Sequence, residues 1–406
     1  MERKEKSMHC TREVTKDIIW VGGNDRRLAL FENLFPIPDG VSYNSYVILD
    51  EKTAVMDTVD ASITRQFIEN VEHALGGRKL DYLVINHMEP DHCATIGELL
   101  RIHPELTLVG NEKTFRLISQ FYDIDMEGRT LAVKEGDTLC LGKHTLHFVF
   151  APMVHWPEVM MAYEESEKIL FAADAFGSFG AHNGALFSDE VADAKAELPE
   201  MRRYYGNIVG KYGPQVQAVL KKAAGLDIAV ICPLHGLIWR GDFGWVLEAY
   251  DKWSKYEPEE KSVAVFYASM YGDTQNAAEI LAGMLAQEGV KGIRVYDVSK
   301  THVSYLISEV FRCSHLVMAA PTYNNGLYPA MENLLTDMAA LNLQNRTVGL
   351  IANGSWAPQS GKIMDAKLSA MKNMRVLDGT VTLRSSLKEE QTEELAALCL
   401  QIVESL

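Results

Sequence analysis

Tyr82-Leu83-Val84-Ile85-Asn86-His87-Met88-Glu89-Pro90-Asp91-His92 runs from an apolar stretch straight into four potential metal ligands within six residues. The run 82–86 reads as a buried strand. Because the hexapeptide 87–92 leaves a strand end and contains Pro90, it is predicted to be a loop, and a loop can fold imidazoles and carboxylates inward around metal ions. Single candidates recur after later apolar runs: His155 after 146–150, Asp174 after 169–173 and His235 after 228–231. Strand ends on one side of a sheet are where α/β folds gather chemistry, so this repeated placement predicts one site.

Around this stretch, 46–49 and 54–57 flank Asp50-Glu51-Lys52-Thr53 as a predicted hairpin. Ile63, Phe67, Ile68, Val71 and Leu75 recur at helical spacing and stop at Gly76-Gly77, a helix with its C-terminal signal. Further strand-like runs follow at 106–109, 146–150, 169–173 and 228–231, so the first half reads as a mixed α/β sandwich. The polar stretch 252–261, KWSKYEPEEK, marks a domain boundary. Beyond it strands at 263–267, 293–298, 316–320, 347–352 and 376–383 alternate with helices at 277–287, 303–311, 329–341 and two more near the end. That alternation predicts a parallel, doubly wound sheet of about five strands.

The second half carries its own constellation at strand ends. Ser269-Met270-Tyr271-Gly272-Asp273-Thr274 opens a helix after 263–267, where backbone N–H groups and two hydroxyls can hold a phosphate without adding positive charge. It resembles the flavodoxin phosphate loop, although an ordinary capped turn would look much the same. Pro321-Thr322-Tyr323-Asn324-Asn325-Gly326 follows the third strand and Asn353-Gly354-Ser355-Trp356 the fourth. In a flavodoxin-like fold these loops flank an isoalloxazine ring, with Trp356 or Tyr323 for stacking and Gly354 for close backbone approach. FMN is the expected occupant, since the G-x-G-x-x-G dinucleotide fingerprint is absent.

The order of His87, Glu89, Asp91, His92, His155, Asp174 and His235 resembles the metallo-β-lactamase superfamily. Its usual H-x-H-x-D-H loop reads H-x-E-x-D-H here, which resembles the diiron branch, the flavodiiron proteins (A-type flavoproteins). The resemblance runs from about Ile18 to the C-terminus and implies a metallo-β-lactamase-like αββα diiron domain (1–255) followed by a flavodoxin-like FMN domain (256–406). It further implies one iron on His87, Glu89 and His155, another on Asp91, His92 and His235, and Asp174 bridging them, although the position of His92 is not a ligand in every member. A carboxylate-rich set suits iron cycling between ferrous and ferric states.

By the same resemblance, FMN passes electrons from a rubredoxin or a reduced soluble cofactor to the irons, which reduce dioxygen to water, nitric oxide to nitrous oxide, or both. Two irons and a reduced flavin together supply the four electrons that dioxygen needs. The resemblance also implies a minimal form without a rubredoxin domain, assembled as a head-to-tail homodimer or a dimer of dimers. A zinc hydrolase fused to a flavodoxin-like module is the rival reading, opposed by Glu89, and a flavin-binding protein with an inert metal site is a third. Trp156, Tyr204 and Tyr205 are candidates for the surroundings of the irons.

Composition sets outer bounds. The 406 residues, 47% hydrophobic and 23% charged, suffice for two or three ordinary globular domains. The 55 acidic residues against 39 basic ones, a formal charge of −16, disfavour nucleic acid and anionic lipid as partners. No apolar run approaches membrane-spanning length, and the charged opening MERKEKSMHCTREVTKD lacks the form of a signal peptide, so a cytoplasmic protein is expected. Six scattered cysteines, none in C-x-x-C, give no disulfide framework or zinc knuckle. His73, His103, His144, His147 and His182 lack the strand-end context and read as surface or packing residues.

Overall fold

The computed structural model describes residues 8–406; the first seven residues of the charged opening lie outside it. The chain divides into two compact units: one holds the residues up to Tyr205 together with Pro214–Leu247, the other Gly206–Gly213 together with Glu248–Leu406. Among the described residues no helix is long and apolar enough to cross a membrane, and all six cysteines are free.

The first unit is built on two sheets. The predicted hairpin forms from Tyr46–Leu49 and Thr53–Met56, paired antiparallel. Thr53–Met56 then pairs in parallel with Tyr82–Val84, and Tyr82–Val84 with Thr107–Gly110. The helix Thr64–Leu75 between them buries Phe67, Val71 and Leu75 and stops at Gly76, whose φ of 58° is the left-handed conformation glycine tolerates. The second sheet contains Thr145–Phe150, Met160–Glu164, Ile169–Phe171 and Val230–Cys232 in that order. Side chains of both sheets, including Trp20, Tyr46, Ile48, Phe148 and Phe171, form one buried cluster, the core of the sandwich. Because Thr145–Phe150, Ile169–Phe171 and Val230–Cys232 all run the same way, His155, Asp174 and His235 leave this sheet at one end.

In the second unit the parallel strands lie in the order Arg294–Asp297, Glu260–Tyr267, Cys313–Tyr323, Thr347–Asn353, then the fifth position. In chain order this is 2-1-3-4-5, the flavodoxin-like doubly wound arrangement. Val263, Val265, Val317 and Ile351 face the helices Asp273–Gln287 and Glu389–Ser405 in one core cluster.

Two local expectations need correction. The stretch 87–92 is not all loop: Pro90–Cys93 forms one helical turn, with Pro90 at its first position, where the missing N–H costs nothing. The predicted strand 376–383 is two short strands, Arg375–Val376 and Val381–Leu383, both paired with Thr347–Asn353. Opposite Val348 and Ile351 stand Val376 and Val381, so the partner strand carries two extra residues, which bulge at Gly379 with φ 76°.

Arg346 closes the second unit from within. It is 1% exposed, and its guanidinium donates to the carbonyls of Val310, Phe311, Tyr256, Gln344 and Asn345 at 2.7–3.1 Å. Arg346→Met should therefore strand several buried carbonyls and lower the unfolding free energy by about 3 kcal/mol, by the penalty of 1–3 kcal/mol for each unsatisfied buried group partly relieved by water. Denaturant titration read by circular dichroism checks this; an unchanged midpoint would show that these bonds contribute nothing net.

Candidate metal centre and flavin cavity

Asp57, at the end of its strand, sets the entry to the metal-ligating stretch. It is fully buried, and its carboxylate accepts from the Asn86 N–H at 2.7 Å, the Asn86 side-chain amide at 2.8 Å and the His87 N–H at 3.2 Å. Burial pushes its carboxyl up to about 6, although the nearby His92 and these donors work the other way. The three bonds hold the chain so that His87 turns into the sheet end rather than out to solvent.

The seven residues predicted from strand ends converge. His87 Nε2 lies 3.2 Å from Glu89 Oε2 and 3.2 Å from Asp174 Oδ2, and His155 Nε2 lies 3.0 Å and 3.2 Å from the same two oxygens. Beside them, His92 Nε2 and His235 Nε2 are 3.1 Å apart and lie 3.3 Å and 3.2 Å from Asp91 Oδ2. Asp174 Oδ1 faces this second group, 3.2 Å from His92 Nε2 and 3.7 Å from His235 Nε2. One carboxylate thus presents one oxygen to each group.

These separations fit metal ions. Donors bound at about 2.1 Å stand roughly 3.0 to 3.4 Å from one another along the edges of an octahedron or tetrahedron. The ring nitrogens are also aimed for it. His87 Nδ1 donates to Glu158 Oε1 at 2.9 Å and His235 Nδ1 to the Ser42 carbonyl at 2.7 Å, which leaves each Nε2 lone pair facing the cluster. Both Asp91 oxygens and Asp174 Oδ1 are buried without a hydrogen-bond donor. A buried carboxylate left that way is costly unless a cation completes it.

Without metal, protons serve as the cations. Burial opposes a charge on His87, yet Asp174, Glu158 and Glu89 outweigh it and hold the imidazole well above its ordinary range. The same contest raises His92 through Asp91 and Asp174, and pushes His155 up to about 9 through Asp174 and Glu89. Asp174 and Glu89 are held down, burial being overcome by His87 and its neighbours. Glu32 was not legible as part of this site. Although the residue is exposed, its carboxyl turns to Glu89, and local desolvation with the Glu89 and Asp91 charges pushes it up to about 8.

Aromatic rings wall the centre. Trp156 lies edge-on to His87 at 5.4 Å, and Tyr204 lies 5.5 Å from His235; Tyr205 is buried as well. Phe31 and Tyr43, which no sequence signal singled out, stand 5.3 Å and 5.6 Å from His235. Of the other histidines, His103 pairs with Glu72, His144 is buried against Glu164, and His182 is held by Asn44.

In the second unit a cavity of about 770 Å³ opens at the strand ends. All three predicted loops line it, through Ser269, Met270, Tyr271, Asp273 and Thr274, then Pro321, Thr322, Tyr323, Asn324 and Asn325, then Asn353, Gly354, Ser355 and Trp356. Gly272 and Gly326 do not line it; they shape the turns. Gly272 has φ 102°, caps the helix Asp273–Gln287 and gives its N–H to Ser269 Oγ at 3.0 Å, while Gly326 pairs back on Tyr323. Ser385 lines the cavity too, exchanging two bonds with the Asn353 side chain. It follows the last strand, where the strand-end rule would have found it. Thr274 is buried and accepts from Asn353, while Tyr271 and Trp356 are 93% and 86% exposed, which suits a phosphate at the helix start and a flat ring between loops.

The raised groups make a pH prediction. His87, His92, His155 and Glu32 have folded values above their unfolded ones, so their stabilisation is complete below the unfolded values and is lost as pH rises through the folded ones, about 8 for Glu32 and about 9 for His155. Glu89 and Asp174 are shifted downward and act only in acid. The metal-free protein should therefore lose stability from pH 6 to 9, by up to about 1.4 kcal/mol per pH unit for each buried histidine proton involved, with the exposed Glu32 adding less because solvent screens its charge. Bound metal displaces those protons and should flatten the slope. Thermal unfolding of chelated and metal-loaded protein tests it; a flat profile for the chelated form contradicts the assignment.

The model of the ODP family beta lactamase matches residues 41–236 and that of flavodoxin matches 265–397. The chain is 31% identical over 363 residues to the nitric oxide reductase of Moorella thermoacetica, covering 88% of this chain and 90% of the relative. It is 32% identical over 356 residues to the rubredoxin-oxygen oxidoreductase of Megalodesulfovibrio gigas, covering 86% and 87%. Among solved structures, rubredoxin oxygen:oxidoreductase from Desulfovibrio gigas superposes with a TM-score of 0.91 at 28% identity, covering 97% of this chain and 98% of that one. The flavodiiron protein from Giardia intestinalis gives 0.91 at 27% identity, covering 99% and 98%. A β-lactamase-like unit with two convergent donor groups, a flavodoxin-like unit with its strand-end cavity, and these relatives place the chain in the flavodiiron protein family, among the oxidoreductases.

Proposed function

We propose that the chain takes electrons from an external redox donor, a rubredoxin or a reduced soluble cofactor, through FMN in the second unit to two irons in the first, and uses them to reduce dioxygen to water, nitric oxide to nitrous oxide, or both. The observation that carries this reading is Asp174, a buried carboxylate whose Oδ2 faces His87 and His155 while its Oδ1 faces His92 and His235. When bound, two irons and a reduced flavin supply the four electrons that convert dioxygen to water. The names of two relatives, a nitric oxide reductase and a rubredoxin-oxygen oxidoreductase, support the substrate class and the donor class.

The chain's own residues would then have distinct tasks. His87, Glu89 and His155 would hold one iron and Asp91, His92 and His235 the other, while Asp174, facing both groups, would serve both. Phe31, Tyr43, Tyr204 and Trp156 thin the water around the ligands, which suits a small neutral substrate and strengthens every charge interaction inside. In the cavity, the first amides of Asp273–Gln287 with the hydroxyls of Ser269 and Thr274 bind the phosphate, and Tyr323, Trp356 and the backbone at Gly354 border the ring. Glu89 favours iron over zinc, because it replaces an imidazole with a carboxylate in a set already rich in carboxylates.

Metal analysis and a visible spectrum test this first: two irons per chain and an FMN spectrum are expected, and zinc in their place overturns it. Asp174→Ala should reduce bound iron below one per chain and oxidase turnover by at least a hundredfold, with FMN content unchanged, since the flavin cavity contains no part of Asp174. An Asp174→Ala protein with two irons and full turnover would remove the bridging role.

We further propose a head-to-tail homodimer in which the flavin of one chain serves the irons of its partner, an arrangement a twofold axis makes twice over. Chains disabled by His87→Ala, mixed under subunit exchange with chains carrying Ser269→Ala and Thr274→Val, should regain activity, because each mixed dimer pairs one intact flavin site with one intact metal site. Verified mixed dimers as inactive as their parents would count against transfer between chains.

A further inference from the structure

The two candidate ligand groups are matched residue for residue: His87, His155 and Glu89 on one side and His92, His235 and Asp91 on the other, with Asp174 turning one oxygen to each. What surrounds them is not matched. His87 Nδ1 donates to a carboxylate, Glu158 Oε1, at 2.9 Å, whereas His235 Nδ1 donates to a neutral backbone carbonyl, that of Ser42, and His92 Nδ1 is buried without a partner. Glu158 is 1% exposed; Oε1 also accepts the Met88 N–H at 2.9 Å, and Oε2 has no hydrogen-bond partner. Its place is fixed from outside the ligand set, because Asn111 donates to the Glu158 carbonyl at 2.6 Å while capping the helix Glu112–Phe121 with the same side chain.

We infer that Glu158 is a positioning residue that makes the two irons unequal, so that the first electron removed from the pair leaves the iron held by His87, Glu89 and His155. A carboxylate accepting the Nδ1 proton draws it away from the ring and leaves Nε2 a stronger donor, which favours the ferric state at that iron. The effect is large here because the carboxylate is buried, and its own charge is relieved by two hydrogen bonds on one oxygen only. A carbonyl, at the matching place on His235, does this far less. Since the inner donors are equal in kind and charge, the bias of the pair is set by this contact rather than by the ligands themselves.

The inference rests on the diiron reading above, and its test separates the two. The full-length protein holding two irons is oxidised stepwise with ferricyanide, one electron per equivalent. Electron paramagnetic resonance then reads the one-electron-oxidised pair, and flavin absorbance is followed separately. Glu158→Gln keeps the hydrogen-bond acceptor and the volume but removes the charge, so a purely structural role would leave the potentials in place. We expect the window over which the one-electron-oxidised pair dominates to narrow, its comproportionation constant falling about tenfold, which is 59 mV for a one-electron couple. A Glu158→Gln protein with two irons and a constant within twofold of the wild type overturns the inference and leaves the diiron reading standing. Wild-type protein without two irons overturns both. If Glu158→Gln holds fewer than two irons, Glu158→Asp decides, since it withdraws the charge from Nδ1 without removing it. The constant must then fall at least twofold, and no change overturns the inference.

Discussion

Buried carboxylates cannot remain ionised together without positive charge among them, and this constraint organises the first unit. Asp174 is 1% exposed, and Glu89 and Asp91 stand with it around four imidazoles. The fold delivers them by ending strands of both sheets at one place, yet strand ends alone would leave the side chains pointing too many ways. The chain resolves this with sharp turns. Asp57, Met153, Ala173 and Phe176, none of them glycine, adopt positive φ between 49° and 69° on either side of the ligands. Such positions cost of order 1–3 kcal/mol each and persist only where packing overdetermines them. The dense core of both sheets is what makes that possible.

Orientation then depends on contacts one step removed from the donors. Asp57 ties the backbone of Asn86 and His87, Glu158 ties the His87 ring, and Ser42 ties His235 while its hydroxyl accepts the Gly236 N–H at 2.7 Å. Asp57 follows a strand of the first sheet, Ser42 lies in the strand Val41–Tyr43 of a small two-stranded sheet, and Glu158 precedes the strand Met160–Glu164 of the second sheet, so the parts of the first unit are joined through the candidate ligands as well as through the apolar core. A site built this way is rigid at the nitrogen atoms, where a few tenths of an ångström decide coordination.

The parts legible in the sequence were those written locally. His87, Glu89, Asp91 and His92 lie in one short stretch, and His155, Asp174 and His235 each follow an apolar run, so a strand-end rule reaches all seven. The flavodoxin-like order was legible because helices and strands alternate with clear punctuation. What escaped depends on pairing across the chain. Glu158 reads as an ordinary charged residue until the fold sets it against His87, 71 residues away, and Ser42 acts on His235 through its backbone carbonyl across 193 residues. The bulge at Gly379 escaped because apolar residues on both sides imitate one continuous strand, and its two extra residues are visible only against Thr347–Asn353.

The two sites use one topological rule for opposite physical ends. Both collect loops beyond the carboxyl ends of strands, but the metal centre is walled by Phe31, Tyr43, Tyr204 and Trp156 and has its ligating nitrogens in a dry, charged pocket. The flavin cavity is open, and its large aromatic residues Tyr271 and Trp356 face solvent. Dryness is useful where charge must be held at fixed positions, because low dielectric strengthens each contact. It would be a hindrance where an electron donor has to come close, since a deeply buried ring is beyond the reach of another protein. The chain thus gives its two candidate sites different dielectric environments, one buried and one open. The loop compositions follow the same contrast: His, Asp and Glu can hold cations in a buried pocket, whereas Ser, Thr, Asn and aromatic residues can line an open cavity with neutral hydrogen-bonding and stacking surface.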